Sequence, residues 1–203
     1  MPTIIESPLR PKALALVDLV FDAALSDPGK PSMHRVDRRF FKLYEELGEA
    51  SQAYLAVTGS NTKRLTFVDL EIEIADVFLV FVDQVLTLVR LMFANSEAAS
   101  VNELRHALAN HLLTCLDKPE TLTTGVRLAR LMRNVSSTHL EAATGLDFMY
   151  HSLVFGCEDL FMLMLQDPRP AEEAQSRRER LDVLLAIVER KTDKWKSIRT
   201  TND

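Results

Sequence analysis

The stretch that decides the fold is Thr66–Phe93, TFVDLEIEIADVFLVFVDQVLTLVRLMF. Thr66 with Asp69 three residues later is a capping-box pattern with a shortened acid, and it opens a helix. Neither proline nor glycine interrupts the remainder of the stretch, so the helix is expected to continue to about Asn95. Beyond Val77 the segment is apolar on nearly every side. A helix lying on a protein surface keeps one polar face, so this one is expected to be the buried central rod of a bundle. Asp83 and Arg90 break the run Val77–Phe93. It also falls short of the roughly 20 residues that span a bilayer, so no membrane partner is expected.

Working outward, apolar residues keep recurring at helical spacing. A first helix is expected over about Pro11–Leu25, stopped by Ser26-Asp27-Pro28-Gly29. A second is expected over about His34–Val57, where Leu43, Leu47, Ala50, Tyr54 and Val57 form one stripe and Gly59 can cap the end. Ser100 with Glu103 reads as another capping box, opening a helix that reaches Leu116. Thr123–Ala142, Asp147–Leu165 and Pro170–Ile198 complete the set. No stretch alternates with period two. The fold class is all-α, a multi-helix bundle over 1–203 as a single domain, with the helical pair 34–95 at its centre.

Composition agrees. The 203 residues are 47% hydrophobic and 26% charged, enough for a packed core, and only 6 Gly and 8 Pro leave little material for the turns of a β-fold. With Lys+Arg 24 against Asp+Glu 29 the net charge is −5, which disfavours nucleic acid as a partner. Cys115 and Cys157 stand far apart without a CxxC and read as buried apolar residues in a reducing compartment. The opening MPTIIESPLRPK lacks the apolar core of a signal peptide, so a cytoplasmic protein is expected. No glycine-rich phosphate loop occurs, and the five histidines show no metal or nucleophile pattern.

The chemistry lies in the acids. KLYEELGEA places Glu45, Glu46 and Glu49 on the second helix, and DLEIEIADV places Asp69, Glu71, Glu73 and Asp76 on the third. Glu46 and Glu49 are spaced i,i+3, as are Glu73 and Asp76, so each pair leaves one face of its helix. Like charges at that spacing cost roughly 0.2–0.5 kcal/mol each on an isolated helix. Acids at the start of a buried helix need counter-charge, and no Lys or Arg lies between Arg64 and Arg90. A divalent cation held by four oxygens from two helices would provide it. Oxygen-only ligation favours Mg²⁺ or Mn²⁺ over zinc and points to metal-assisted chemistry on a phosphate ester or anhydride.

The blocks Glu45-Glu46-Leu47-Gly48-Glu49 and Glu73-Ile74-Ala75-Asp76, separated by roughly two dozen residues, resemble the EExxE and ExxD signature of the MazG-like all-α nucleoside triphosphate pyrophosphohydrolases. That superfamily includes the dimeric dUTPases and phosphoribosyl-ATP pyrophosphohydrolase. The likeness covers about Phe40–Leu88. It implies a hydrolase cleaving a nucleoside triphosphate, in particular a dNTP, to the monophosphate and pyrophosphate with Mg²⁺. By motif position it implies Glu46, Glu49, Glu73 and Asp76 as metal ligands. Glu45 would orient or deprotonate the attacking water, or act as a partner group one turn away. Lys42 either reaches the phosphates or pairs with Glu45 and Glu46. A dUTP/dUDP hydrolase and a non-catalytic nucleotide-sensing or assembly module are the alternative readings. A homo-oligomer, dimer or tetramer, is the usual assembly of such proteins.

The second half is read more loosely. Arg190-Lys191-Thr192-Asp193-Lys194-Trp195 is similar to the late basic and aromatic patch of the family, with Lys191 and Lys194 as phosphate contacts; a solvated basic helix end explains it equally. Residues 123–165 resemble a degenerate second copy of the motif pair. Met132 and Val135 then stand where Glu46 and Glu49 do, Gly156 opposite Glu73, and Asp159 opposite Asp76.

Overall fold

The computed structural model describes residues 9–26, 29–94, 97–141, 145–169, 172 and 174–200. Among these, seven α-helices and no strand occur: α1 (Arg10–Leu25), α2 (Met33–Val57), α3 (Phe67–Met92), α4 (Glu97–Leu116), α5 (Thr124–Leu140), α6 (Leu146–Leu165) and α7 (Arg177–Thr200). The all-α expectation holds, and the capping pair read from the sequence sets the start of α3. The Thr66 hydroxyl accepts the Asp69 amide, while the Asp69 carboxylate accepts the Thr66 amide at 2.7 Å. Ser32 and Thr123 accept the Arg35 and Val126 amides at the starts of α2 and α5.

Two starts differ from expectation. Helix α4 begins at Glu97, so Ser100 and Glu103 lie inside it. Glu97 suits the positive end of the helix dipole and is held by Arg90 from the last turn of α3 at 2.6 Å. Helix α7 begins at Arg177 rather than near Pro170. The Asp167 carboxylate accepts the Arg169 and Gln175 amides at 3.0 and 2.7 Å. A capping box of Ser176 and Glu179 then opens the helix. Asp27, Pro28, Asn95, Ala142 and Pro170, which bound the expected helices, lie outside the described residues, as do most of MPTIIESPLRPK and part of the Leu140–Gly145 segment.

Helix α3 is the central rod. Every residue from Val77 to Val89 is buried, including Asp83, Gln84 and Thr87. It packs most extensively on α2, and also against α6, α1, α4 and α7. Arg39 meets Asp83 while Glu49 meets Glu73, so α2 and α3 run antiparallel. In the same way Arg127 meets Asp159 and Asn134 meets Ser152, making α5 and α6 a second antiparallel pair, with α5 resting on α2. Met162 and Met164 are core residues, Trp195 packs on the core, and both cysteines are buried free thiols. One described helix, α6, is long and apolar enough to cross a membrane by length and composition. Its second half, Leu160–Leu165, is buried in the bundle.

Candidate metal centre

The antiparallel α2–α3 pair sets the centre. Glu46 and Glu49 leave α2 one turn apart, and Glu73 enters from the facing turn of α3. One carboxylate oxygen from each of the three lies within 4.8 Å of the others. Glu46 is buried, Glu73 half-buried and Glu49 exposed, so the group opens to solvent on one side.

Burial and mutual repulsion both act on these acids. Burial pushes the Glu46 carboxyl up, and Asp76 and Glu49 add to the shift, although Lys42 opposes it. Burial likewise raises Glu73, joined by repulsion from Asp76, Glu49 and Glu46. Lys42 reaches Glu46 at 2.7 Å and Glu45 at 3.1 Å. Partial burial pulls its ammonium down, but those two acids together outweigh it and hold the group above its ordinary range.

The fourth acid of the motif has a different partner. Asp76 faces the same centre electrostatically, but its carboxylate accepts a hydrogen bond from Lys191 of α7, in a half-buried ion pair. The late basic segment therefore reaches the acids despite lying 115 residues away in sequence. Lys194, one turn further on, is exposed and makes no ion pair among the described residues. Glu45 is exposed beside Lys42. Five carboxylates (Glu45, Glu46, Glu49, Glu73 and Asp76) thus share two ammonium groups, leaving three negative charges on the α2–α3 face.

The expectation that α3 lacks counter-charge holds only in part. The cations come from distant helices. Arg39 of α2 binds Asp83 at 2.7 Å, and Arg180 of α7 binds Glu71 at 2.5 Å with both side chains buried. Together with Lys191 on Asp76, these pairs leave Glu73 as the half-buried acid of α3 without a cation bonded to it among the described residues. The three-carboxylate group could hold a metal ion: oxygen donors converge from two helices, in excess over the local cations.

Beside this centre, toward the N-terminus of α2, a cleft of about 730 Å³ opens between Ser32 and Glu45. Its wall carries His34, Arg35, Arg38, Arg39 and Lys42 with the exposed ring of Phe41. The acids alone do not point to it, although the basic i,i+3 and i,i+4 spacing from His34 to Lys42 is a local signal that could have. At the positions aligned with the acids in the second half, Asp159 is bound by Arg127 and Arg130 at 3.2 and 3.0 Å, and Gly156 lies against Asn134. Comparison with known proteins returned nothing: no family model, curated protein or solved structure matches the chain.

Proposed function

We propose that this chain is a Mg²⁺-dependent nucleotide pyrophosphohydrolase of MazG-like type, cleaving a nucleoside triphosphate to the monophosphate and pyrophosphate. The observation that carries the reading is the convergence of Glu46, Glu49 and Glu73 within 4.8 Å, next to a basic cleft that Lys42 and Glu45 border. A surplus of half-buried carboxylates destabilises a fold unless a cation neutralises it. A cation so held would itself attract an anionic substrate. The motif order and spacing favour a nucleotide over other phosphate anhydrides.

In this reading Glu46, Glu49 and Glu73 hold the metal, which supplies charge neutralisation on the polyphosphate and lowers the pKa of water. Asp76 would be a fourth ligand where its carboxylate is not held by Lys191, whose ammonium could bind a phosphate oxygen instead. Glu45, exposed and one residue from Glu46, takes the proton from the attacking water. As the water's oxygen bonds to the α-phosphorus, the bond to the bridging oxygen breaks and pyrophosphate leaves with that electron pair. Lys42 and Lys191, bonded to Glu46 and Asp76 respectively, would offset the charge developing on the leaving group.

The test is pyrophosphate release from the four NTPs, the four dNTPs, dUTP and dUDP, with Mg²⁺ and with chelator. Metal-dependent release that falls at least about 100-fold in Glu46→Gln is expected, the usual size for loss of an electrostatic group at the reacting centre. Activity surviving that substitution would remove the metal assignment. Release from dUDP would move the reading to a dUTP/dUDP hydrolase, since a triphosphate-only enzyme needs the third phosphate.

A further inference from the structure

The cleft beside the acids concentrates positive charge on one helix. His34, Arg35, Arg38, Arg39 and Lys42 succeed one another on three turns of α2, in a chain whose net charge is −5. Arg38 has Arg35 at i−3 and Lys42 at i+4. Each like-charge neighbour at those spacings costs roughly 0.2–0.5 kcal/mol. Several neighbours are otherwise engaged. Arg39 binds Asp83, Lys42 binds Glu45 and Glu46, and an Arg35 Nη1 donates to the Gly29 carbonyl at 2.8 Å. Arg38 is exposed and has no ion-pair partner among the described residues. It faces a cavity rather than an open convex surface.

Phe41 stands between the two charge fields. Its ring is 65% exposed, yet it is not loose, because it packs edge-on against Tyr44 at 6.3 Å and His139 at 5.6 Å. Along α2 the order is therefore arginines, then a fixed aromatic face, then Lys42 and the carboxylates. At 1.5 Å per residue, Arg38 lies roughly 12 Å from Glu46 along the helix axis and Arg35 roughly 16 Å. That offset places the two arginines beyond the acids, on the side toward which the nucleoside of a polyphosphate held there would extend.

Resting on the pyrophosphohydrolase reading, we infer that the cleft is a second phosphate subsite, so that the preferred ligand is a nucleotide phosphorylated at both ends. The base stacks on Phe41, the 5′-polyphosphate lies at the carboxylates, and a phosphate on the sugar's far side meets Arg38 and Arg35. Guanidinium groups suit this task because they present paired donors to phosphate oxygens.

Binding of nucleoside 3′,5′-bisphosphates against the matching 5′-monophosphates, measured by calorimetry at low salt with Mg²⁺, tests the inference without turnover, since neither ligand carries a phosphoanhydride bond to cleave. The bisphosphate is expected to bind about tenfold more tightly or better, the worth of a charge-assisted hydrogen bond or two. The gain should shrink on adding salt, vanish in Arg38→Gln, and return in part in Arg38→Lys. Arg38 is exposed, so both variants should melt with the parent in circular dichroism. Equal affinity for the two nucleotide classes, or a gain untouched by Arg38→Gln, would overturn the inference. An Arg38-dependent gain in a protein that releases no pyrophosphate from any triphosphate would keep the subsite and remove the catalytic reading instead.

Discussion

Replacing Glu73 by Gln should strengthen the metal-free protein and at the same time abolish its response to metal. Glu73 shares a 4.8 Å group with Glu46 and Glu49, and no cation is bonded to it among the described residues. Two unit charges at that separation repel by roughly 3–4 kcal/mol at an effective dielectric of about 20. Solvent at the exposed Glu49 and the nearby Lys191 ammonium reduce this, leaving about 1–2 kcal/mol to be recovered. For a chain of this length each kcal/mol moves the melting temperature by roughly 2–4 °C, so the variant should melt roughly 2–8 °C higher in chelator. Mg²⁺ at about a hundred times its dissociation constant should stabilise the parent by about 2.7 kcal/mol, roughly 5–11 °C. The variant should show little of that rise. The assay is thermal unfolding by circular dichroism, parent and variant, with chelator and across a Mg²⁺ series. A variant that melts lower than the parent in chelator, or that gains as much from Mg²⁺, would refute the reasoning that this face is organised by unneutralised charge.

The same geometry fixes three further outcomes. Glu46 and Glu73 bind protons more readily folded than unfolded, so their contribution to stability is largest at low pH and declines as pH rises from 4.5 through their raised folded-state values. Asp167 acts oppositely: burial is outweighed by Arg169 and two backbone amides, its pKa falls to about 2, and its contribution is lost as pH drops from 3.8 toward 2. Urea titrations in chelator should therefore show a maximum on the acidic side of neutrality that flattens when Mg²⁺ is added. Lys191→Met should tighten metal binding, because Asp76 is released to the centre, while slowing turnover by about tenfold or more through loss of a charged phosphate contact; metal titration and initial rates on one sample check both signs. Glu71→Gln should cost about 3–5 kcal/mol by stranding the Arg180 guanidinium, whose side chain is 2% exposed, whereas Glu71→Leu with Arg180→Met should restore most of it; chemical denaturation measures the difference.

Much of this architecture is legible without coordinates. The apolar run of Thr66–Phe93 announces the central helix because a helix with no polar face must be enclosed. The Thr66–Asp69 pair marks its start because an orphan amide at a helix end needs a local acceptor. The acids are legible for the same local reason: i,i+3 spacing sends Glu46 and Glu49 from one face whatever the rest of the chain does. The start of α7 differs from the expected one although Ser176 and Glu179 form as clear a capping box as the one at Thr66. The Ser100–Glu103 pattern falls inside α4 because a capping sequence marks where a helix can begin, and Glu97 offers an earlier start beside Arg90.

By itself, then, the sequence determined which segments are helical, which helix is enclosed, and which carboxylates share a face, since each depends on residues within a turn or two of one another. The tertiary structure decided how those charges are balanced. Arg39 on Asp83, Arg180 on Glu71 and Lys191 on Asp76 each join residues far apart in the chain, the last two pairs by 109 and 115 positions, and no local pattern encodes such meetings. They arise because α2 and α7 are folded against α3 and a buried carboxylate must draw its cation from whichever helix passes it. Packing brought Glu73 of α3 to Glu46 and Glu49 of α2, and left it without a bonded cation among the described residues.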